Sequence, residues 1–376
     1  MERIYLDHAA TTPLDKEILE KMLPYFTADY GNADSPHALG RTAMNAVDFA
    51  RDKIAELLGA KPNEIYFTSG GTESDNWAIY GAAHAQKEKG KNHIILSAIE
   101  HHAAKATGEK LEKEGFSVTY VLANEGGMVE LNTIKEALTD KTGLIAVMYV
   151  NNETGAIQPI QEIAALAKAN DVVFFTDAVQ AAPYLPLNVK ELGVDMLSFS
   201  SHKIYGPKGC GVLYIRSGVR VKGLIVGGEQ ERGLRGGTTN VPAVVGMAYA
   251  YEKTVRDRQE NNEKIQRLRE IFLQEISGLE GVEIHGEGVP ALLNLRFAGV
   301  SNVDLLYAAD LKGVCIAAGS ACASASIKPS HVLLAMGMDE KSAKESVRIS
   351  LGKDNTEEEI RCAARLLKEI VLRLRS

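Results

Sequence analysis

Three groups far apart in the chain could serve one chemistry: the amine of Lys203, the carboxylate of Asp177 and the thiol of Cys322. Lys203 lies in Ser198-Phe199-Ser200-Ser201-His202-Lys203-Ile204-Tyr205-Gly206-Pro207-Lys208-Gly209, just past an apolar run. A lysine in a partly apolar pocket loses solvation, which lowers its pKa and frees the amine to form a Schiff base, although most lysines are plain surface charges. Asp177 ends the run Val172-Val173-Phe174-Phe175-Thr176. A carboxylate there either caps the next turn or partners a protonated ring nitrogen in an electron-sink cofactor, with Gln180 spaced to sit beside the same ring. In Thr68-Ser69-Gly70-Gly71-Thr72-Glu73-Ser74-Asp75-Asn76, two glycines before a helix allow backbone N–H groups to approach a phosphate. Thr72 with Asp75 equally fits a capping box, so the segment also reads as a well-capped helix. Cys322 sits in Ala317-Ala318-Gly319-Ser320-Ala321-Cys322-Ala323-Ser324-Ala325-Ser326, without the bulky apolar neighbours of a core cysteine. Such a run suits a mobile or closely approached loop rather than a packed core. Cys210, Cys315 and Cys362 read as small buried hydrophobes.

The elements that must position these groups emerge from the hydrophobic pattern. Strands are expected at 64–68, 93–98, 117–122, 144–149, 172–176 and 195–199, with helices at 72–89, 103–114, 131–138 and 160–169 between them. Fully apolar strands separated by helices predict an α/β fold with a mostly parallel sheet covered on both faces. Ligands bind beyond the carboxyl ends of such strands, so the chemical residues are expected just after them. One long helix, or two in series, is expected over 241–276, its charged residues forming a solvated face. The pattern then changes to strands at 282–285 and 291–297, a helix at 303–311 and a closing amphipathic helix at 356–374. We divide the chain into a large domain at 13–257 and a smaller α+β domain made of 1–12 and 258–376.

Composition narrows the function classes. The 376 residues exceed what one core usually supports, and 45% hydrophobic with 24% charged residues is the balance of a folded globular protein. The formal net charge is -7 and no Lys/Arg block stands out, so direct nucleic-acid binding is not expected. The apolar runs are too short to cross a bilayer, and Met1-Glu2-Arg3 opens no secretory segment, which leads us to expect no membrane and a cytoplasmic location. Four cysteines without a C-x-x-C pair argue against a disulfide scaffold.

Together these segments resemble the NifS/IscS-like class I cysteine desulfurases, a branch of the fold-type-I, aspartate-aminotransferase-like enzymes that depend on pyridoxal 5'-phosphate. The resemblance runs from Tyr5-Leu6-Asp7-His8-Ala9-Ala10-Thr11-Thr12 to Ser350-Leu351-Gly352. Between them come Glu100-His101-His102, Asn151-Asn152-Glu153-Thr154-Gly155, Asp177-Ala178-Val179-Gln180, Arg235-Gly236-Gly237-Thr238 and Gly319-Ser320-Ala321-Cys322.

The resemblance implies roles position by position. Lys203 is the Schiff-base lysine, Asp177 pairs with the ring nitrogen, Asn152 and Gln180 lie near the phenolic oxygen, and His101 stacks on the ring and moves protons. Gly71, Thr72, Ser200 and His202 hold the phosphate, joined by Thr238 across a homodimer. Arg348 grips the substrate carboxylate with Asn32 assisting, although spacing alone reads Arg348 as an exposed strand residue. Cys322 receives sulfur from L-cysteine as a persulfide, with alanine as the other product. It passes the sulfur to an acceptor such as an iron-sulfur scaffold or a tRNA-thiolation enzyme. No resident metal is implied, only transient contact of Cys322 with a cluster held by a partner.

The chain departs from the family's Gly-Asn-Pro-Ser-Ser at Gly31-Asn32-Ala33-Asp34-Ser35, and it ends at Ser376 without the longer tail some members use to dock a scaffold. The rival readings are a selenocysteine lyase, a transaminase on the same fold, which has no use for a nucleophilic cysteine, and a non-catalytic binding protein, which has no use for Lys203, Asp177 and Cys322 together.

Overall fold

The structure is a computed structural model that describes residues 3–286, 288–319 and 328–376. Seven strands form one sheet in the order Ile65–Thr68, Gly211–Ile215, Met196–Ser200, Val173–Asp177, Thr142–Ala146, His93–Ser97, Ser117–Val121. The pairings from Met196–Ser200 outward to Ser117–Val121 are parallel. Gly211–Ile215 is antiparallel to both its neighbours. Alternate residues feed two separate apolar layers. Ile95, Ile145, Phe174, Leu197 and Val212 join one, and Ile94, Leu144, Phe175, Met196 and Leu213 join the other. Side chains alternate across a strand, so burial on both faces produces the near-continuous apolar runs seen in the sequence. The edge strand Ser117–Val121 is the least buried of the set, as an edge position allows.

A second sheet has three antiparallel strands, Ser346–Ser350, Leu292–Phe297 and Val282–His285. The helix Val241–Ile276 runs unbroken for 36 residues, about 54 Å at the usual rise. Asn240 caps it by accepting from the Ala243 amide at 3.3 Å, and Pro242 sits in its first turn, where no amide donor is needed. Its first three turns, Val241 to Tyr251, are mostly buried among core residues, while Ile265, Leu268, Phe272 and Ile276 form a helical stripe further on. The N-terminal segment belongs to neither sheet alone. Ile4–Tyr5 pairs with Val314–Cys315, and Asp7 bridges Ser350.

Two expectations need correction here. The helix Ala38–Leu58 and the strand Gly211–Ile215 were not among the predicted elements. Cys362 is exposed on the helix Glu357–Arg375, because it lies off the buried stripe of Ile360, Ala363, Ala364 and Leu367. Cys210 is buried, as expected of a small hydrophobe.

Candidate active site

A cavity of about 440 Å³ opens at the carboxyl ends of the parallel strands. Five of the strands deliver groups to it at or just beyond their carboxyl ends. Gly70, Gly71 and Thr72 come after Ile65–Thr68, and His101 after His93–Ser97. Asn152 comes after Thr142–Ala146, Asp177 ends its own strand with Gln180 close behind, and Ser200, His202 and Lys203 are placed in the same way. Arg348 enters from the three-stranded sheet. Thus Gly71, Thr72, His101, Asn152, Asp177, Gln180, Ser200, His202, Lys203 and Arg348 all line one space.

The other predicted site residues are not among that lining. Asn32 is exposed and its side chain accepts from the Asp34 amide at 2.9 Å. Thr238 is exposed as well. Cys322 lies outside the described residues, whose nearest neighbours in the chain are Gly319 and Lys328.

The Lys203 ammonium donates to the carbonyls of Ala9 and Ala10, the latter at 2.9 Å. The same stretch receives the Gln180 amide at Ala9, 2.7 Å away, and Thr11 faces His202 Nδ1 at 3.1 Å. The first dozen residues therefore close one wall of the cavity, a role the sequence did not suggest.

Arg348 is 1% exposed, which corrects the reading of an exposed strand arginine. Its guanidinium donates to Asp7 at 2.8 Å and to the Asn152 carbonyl at 2.8 Å, while its Nε, also buried, has no partner among the described residues. A buried arginine held on one side and unsatisfied on the other is poised to take a carboxylate.

The buried acids partition their charge. Asp177 is pushed up to about 6 by burial, opposed by the Val179 amide it accepts from at 2.8 Å and by the Lys203 charge. Asp75 goes well above the usual carboxylate range through burial and the neighbouring Asp177 charge. Two like charges in one dry pocket do not both ionise, so Asp75 keeps its proton and Asp177 carries the charge. Asp75 is not a helix cap; it accepts from the Ser198 hydroxyl at 2.6 Å inside the core. Its signal in the sequence was its place on the helix face that also presents Ala78, Ile79 and Ala82.

His101 accepts the Ala103 amide through Nδ1 at 3.2 Å, which leaves the hydrogen of the neutral ring on Nε2. Burial, then the Lys203 charge, lowers its pKa to about 4. The same two causes lower His202 to about 4. Both rings are neutral at physiological pH.

The residues fit pyridoxal 5'-phosphate. Ser200 Oγ and Asn152 Oδ1 are buried without a partner among the described residues, as is expected where a polar ligand completes the set. The Gly70–Gly71 turn opens the helix Gly71–Lys87, with the Ser200 hydroxyl 3.8 Å from where a Gly70 Cβ would stand. Gly70 has φ +150°, open to glycine. That end suits a phosphate. The Asp177 carboxylate at the other end suits a protonated ring nitrogen.

Beneath the site, Glu100 is 1% exposed, and one carboxylate oxygen accepts both the Ser97 hydroxyl at 2.5 Å and the Met148 amide at 2.6 Å. Its pKa is pushed up to about 8, first by burial and then by the Asp177 charge, against the Ser97 hydrogen bond. A folded-state pKa above the unfolded one means that this group favours folding at low pH, and the contribution is lost as pH rises through about 8. Glu100→Gln does not titrate. Its melting temperature, relative to the unsubstituted protein and without cofactor, is therefore expected to climb between about pH 5 and pH 8. A difference that stays flat across that range would show that Glu100 is ionised in the fold.

Known proteins resemble this chain over nearly its whole length. The family model for aminotransferase class-V matches residues 4–362. A cysteine desulfurase IscS of Methanosarcina thermophila is 46% identical, covering 99% of this chain and 93% of that protein. A putative cysteine desulfurase IscS 1 of Bacillus subtilis strain 168 is 48% identical, covering 100% of both. Among solved structures, a NifS-like protein superposes with a TM-score of 0.93 at 37% identity, covering 98% of this chain and 99% of that one. SspA, solved in complex with cysteine, gives 0.83 at 37% identity, covering 94% and 99%.

Proposed function

This chain belongs to the aminotransferase class-V family, and from that premise we propose that it is a cysteine desulfurase that removes sulfur from L-cysteine and carries it as a persulfide on Cys322. The observation that carries this reading is the convergence of Lys203, Asp177, His101 and Arg348 on one cavity. Its cofactor is pyridoxal 5'-phosphate, which when bound supplies an aldehyde for the substrate amino group and a ring that takes up electrons.

The chain's own residues do the rest. Arg348, already fixed by Asp7, turns its unsatisfied Nε toward the substrate carboxylate and so orients the amino acid. Ionised Asp177 would pair with the protonated ring nitrogen of the cofactor. Neutral His101, with its hydrogen on Nε2, would pack against the cofactor ring. Lys203 holds and returns the proton at the substrate α-carbon from its place beside Ala9 and Ala10. Thr72, Ser200 and His202 would hold the phosphate, joined by Thr238 across the proposed homodimer. The Cys322 thiolate forms a bond to the substrate sulfur as the carbon–sulfur bond breaks. The carbon keeps the electron pair and gains the proton, leaving alanine. Cysteine plus one thiol thus gives alanine plus one persulfide.

The homodimer, the acceptor and the division into 13–257 and the remainder belong to the same proposal. Exposed Val226, at 97%, and exposed Thr238 support a second copy seated on this loop. An iron-sulfur scaffold or a tRNA-thiolation enzyme is the acceptor class.

Purified, cofactor-loaded protein is expected to release alanine from cysteine, with one sulfur per alanine recovered as sulfide when a reducing thiol is present. Alanine formed without matching sulfur would contradict the proposal. Alanine released from selenocysteine but not from cysteine would favour a selenocysteine lyase.

A further inference from the structure

Glu153 comes directly after Asn152, which lines the cofactor cavity, yet its own side chain turns toward the two ends of the segment that carries Cys322. The Glu153 backbone is held firmly. Asn151 Oδ1 accepts the Glu153 and Thr154 amides, each at 2.9 Å, and Asn294 donates to the Glu153 carbonyl at 3.4 Å. One oxygen of the carboxylate accepts the Ser330 hydroxyl at 2.5 Å. The same oxygen lies 3.1 Å from where a Cβ on Gly319 would stand, so a side chain there would press on it. Gly319 also has φ +71°, a left-handed conformation that glycine adopts without strain.

Gly319 and Ser330 flank residues 320–327 on opposite sides, and both are tied to the site beyond Glu153. On one side, Ala317 exchanges backbone hydrogen bonds with Arg348 at 3.1 and 2.6 Å. On the other, Ser330 caps the helix His331–Ala335, and His331 bonds the Glu100 carbonyl at 2.9 Å. The His331 ring also packs 4.7 Å from that of His102. Glu153 is 1% exposed. Burying a carboxylate is costly unless hydrogen bonds repay it, and packing alone is served as well by a neutral side chain.

We propose that Glu153 is a positioning residue for sulfur transfer, which fixes the spacing of the two stems and through them the reach of Cys322. This rests on the reading of Cys322 as the sulfur acceptor. Glu153 acts without touching cofactor or substrate, so its loss separates two steps that a general structural defect would impair together.

The test uses the full, cofactor-loaded enzyme with Glu153→Gln, Glu153→Asp and Ser330→Ala. For each variant, the spectral change on adding cysteine, KM, and the rate of sulfur gain at Cys322 by mass spectrometry are measured. Glu153→Gln is expected to keep the spectral change and KM of the unsubstituted enzyme while gaining sulfur about 10- to 100-fold more slowly. Glu153→Asp is expected to recover part of that rate. Ser330→Ala is expected to show the same split more weakly, and it decides the matter if Glu153→Gln does not fold. Sulfur gain at the normal rate in both Glu153→Gln and Ser330→Ala would overturn the inference, as would loss of sulfur gain in step with loss of cysteine binding. If the unsubstituted enzyme gains no sulfur at Cys322, the underlying reading falls instead.

Discussion

Lys203→Ala is expected to lose the visible absorbance of the lysine-bound cofactor and to lower alanine formation on the order of 10³-fold or more. The amine has two duties in one place, as the covalent anchor and as the carrier of the α-proton. Among the described residues no other lysine is close enough to take over: Lys208, the other lysine of the cavity wall, is exposed five residues further on. The fold should survive, because Lys203 is only half-buried and the Ala9 and Ala10 carbonyls it bonds can be satisfied by water. Removing the amine charge also has a readable side effect. Lys203 helps to depress His101 and His202 and to oppose the rise of Asp177. An unchanged visible spectrum in this variant would reject the role.

Cys322→Ser is expected to do the opposite to the cofactor. The colour and the spectral response to cysteine should remain, while sulfur transfer falls on the order of 10³-fold, since a hydroxyl cannot form the sulfur–sulfur bond. The remaining cysteines offer no substitute. Cys210 is buried, and burial pushes its thiol up to about 12, so it stays protonated. Burial also pushes up Cys315, which sits beside the N-terminal strand. Cys362 is exposed on the helix Glu357–Arg375. None of these three lines the cavity. Full sulfur release by the serine variant would show that another route exists.

Much of this arrangement was legible in the sequence, and the reason is physical. Strands buried on both faces leave uninterrupted apolar runs, so Val173–Asp177 and Met196–Ser200 could be read, and the groups after them were placed by the strand-end rule. Gly211–Ile215 was missed because it returns antiparallel without a helix after it, which breaks the alternation the reading relied on. Arg348 looked exposed because the alternating face of its strand is normally solvated. Here that face is covered by Asp7 and Asn152, which lie 341 and 196 residues away. The same separation hid the N-terminal wall formed by Ala9, Ala10 and Thr11. Local spacing left a capping role open for Asp75, and only the packed helix shows it turned inward beside Asp177. Contacts between distant segments were the unreadable part.

The mass of the purified enzyme, taken after brief exposure to L-cysteine and mapped by peptide, bears most directly on the account. We expect a gain of one sulfur atom, on the peptide containing Cys322 and absent from the Lys203→Ala variant. A sulfur found on Cys210, Cys315 or Cys362, or no added sulfur while alanine accumulates, would contradict it.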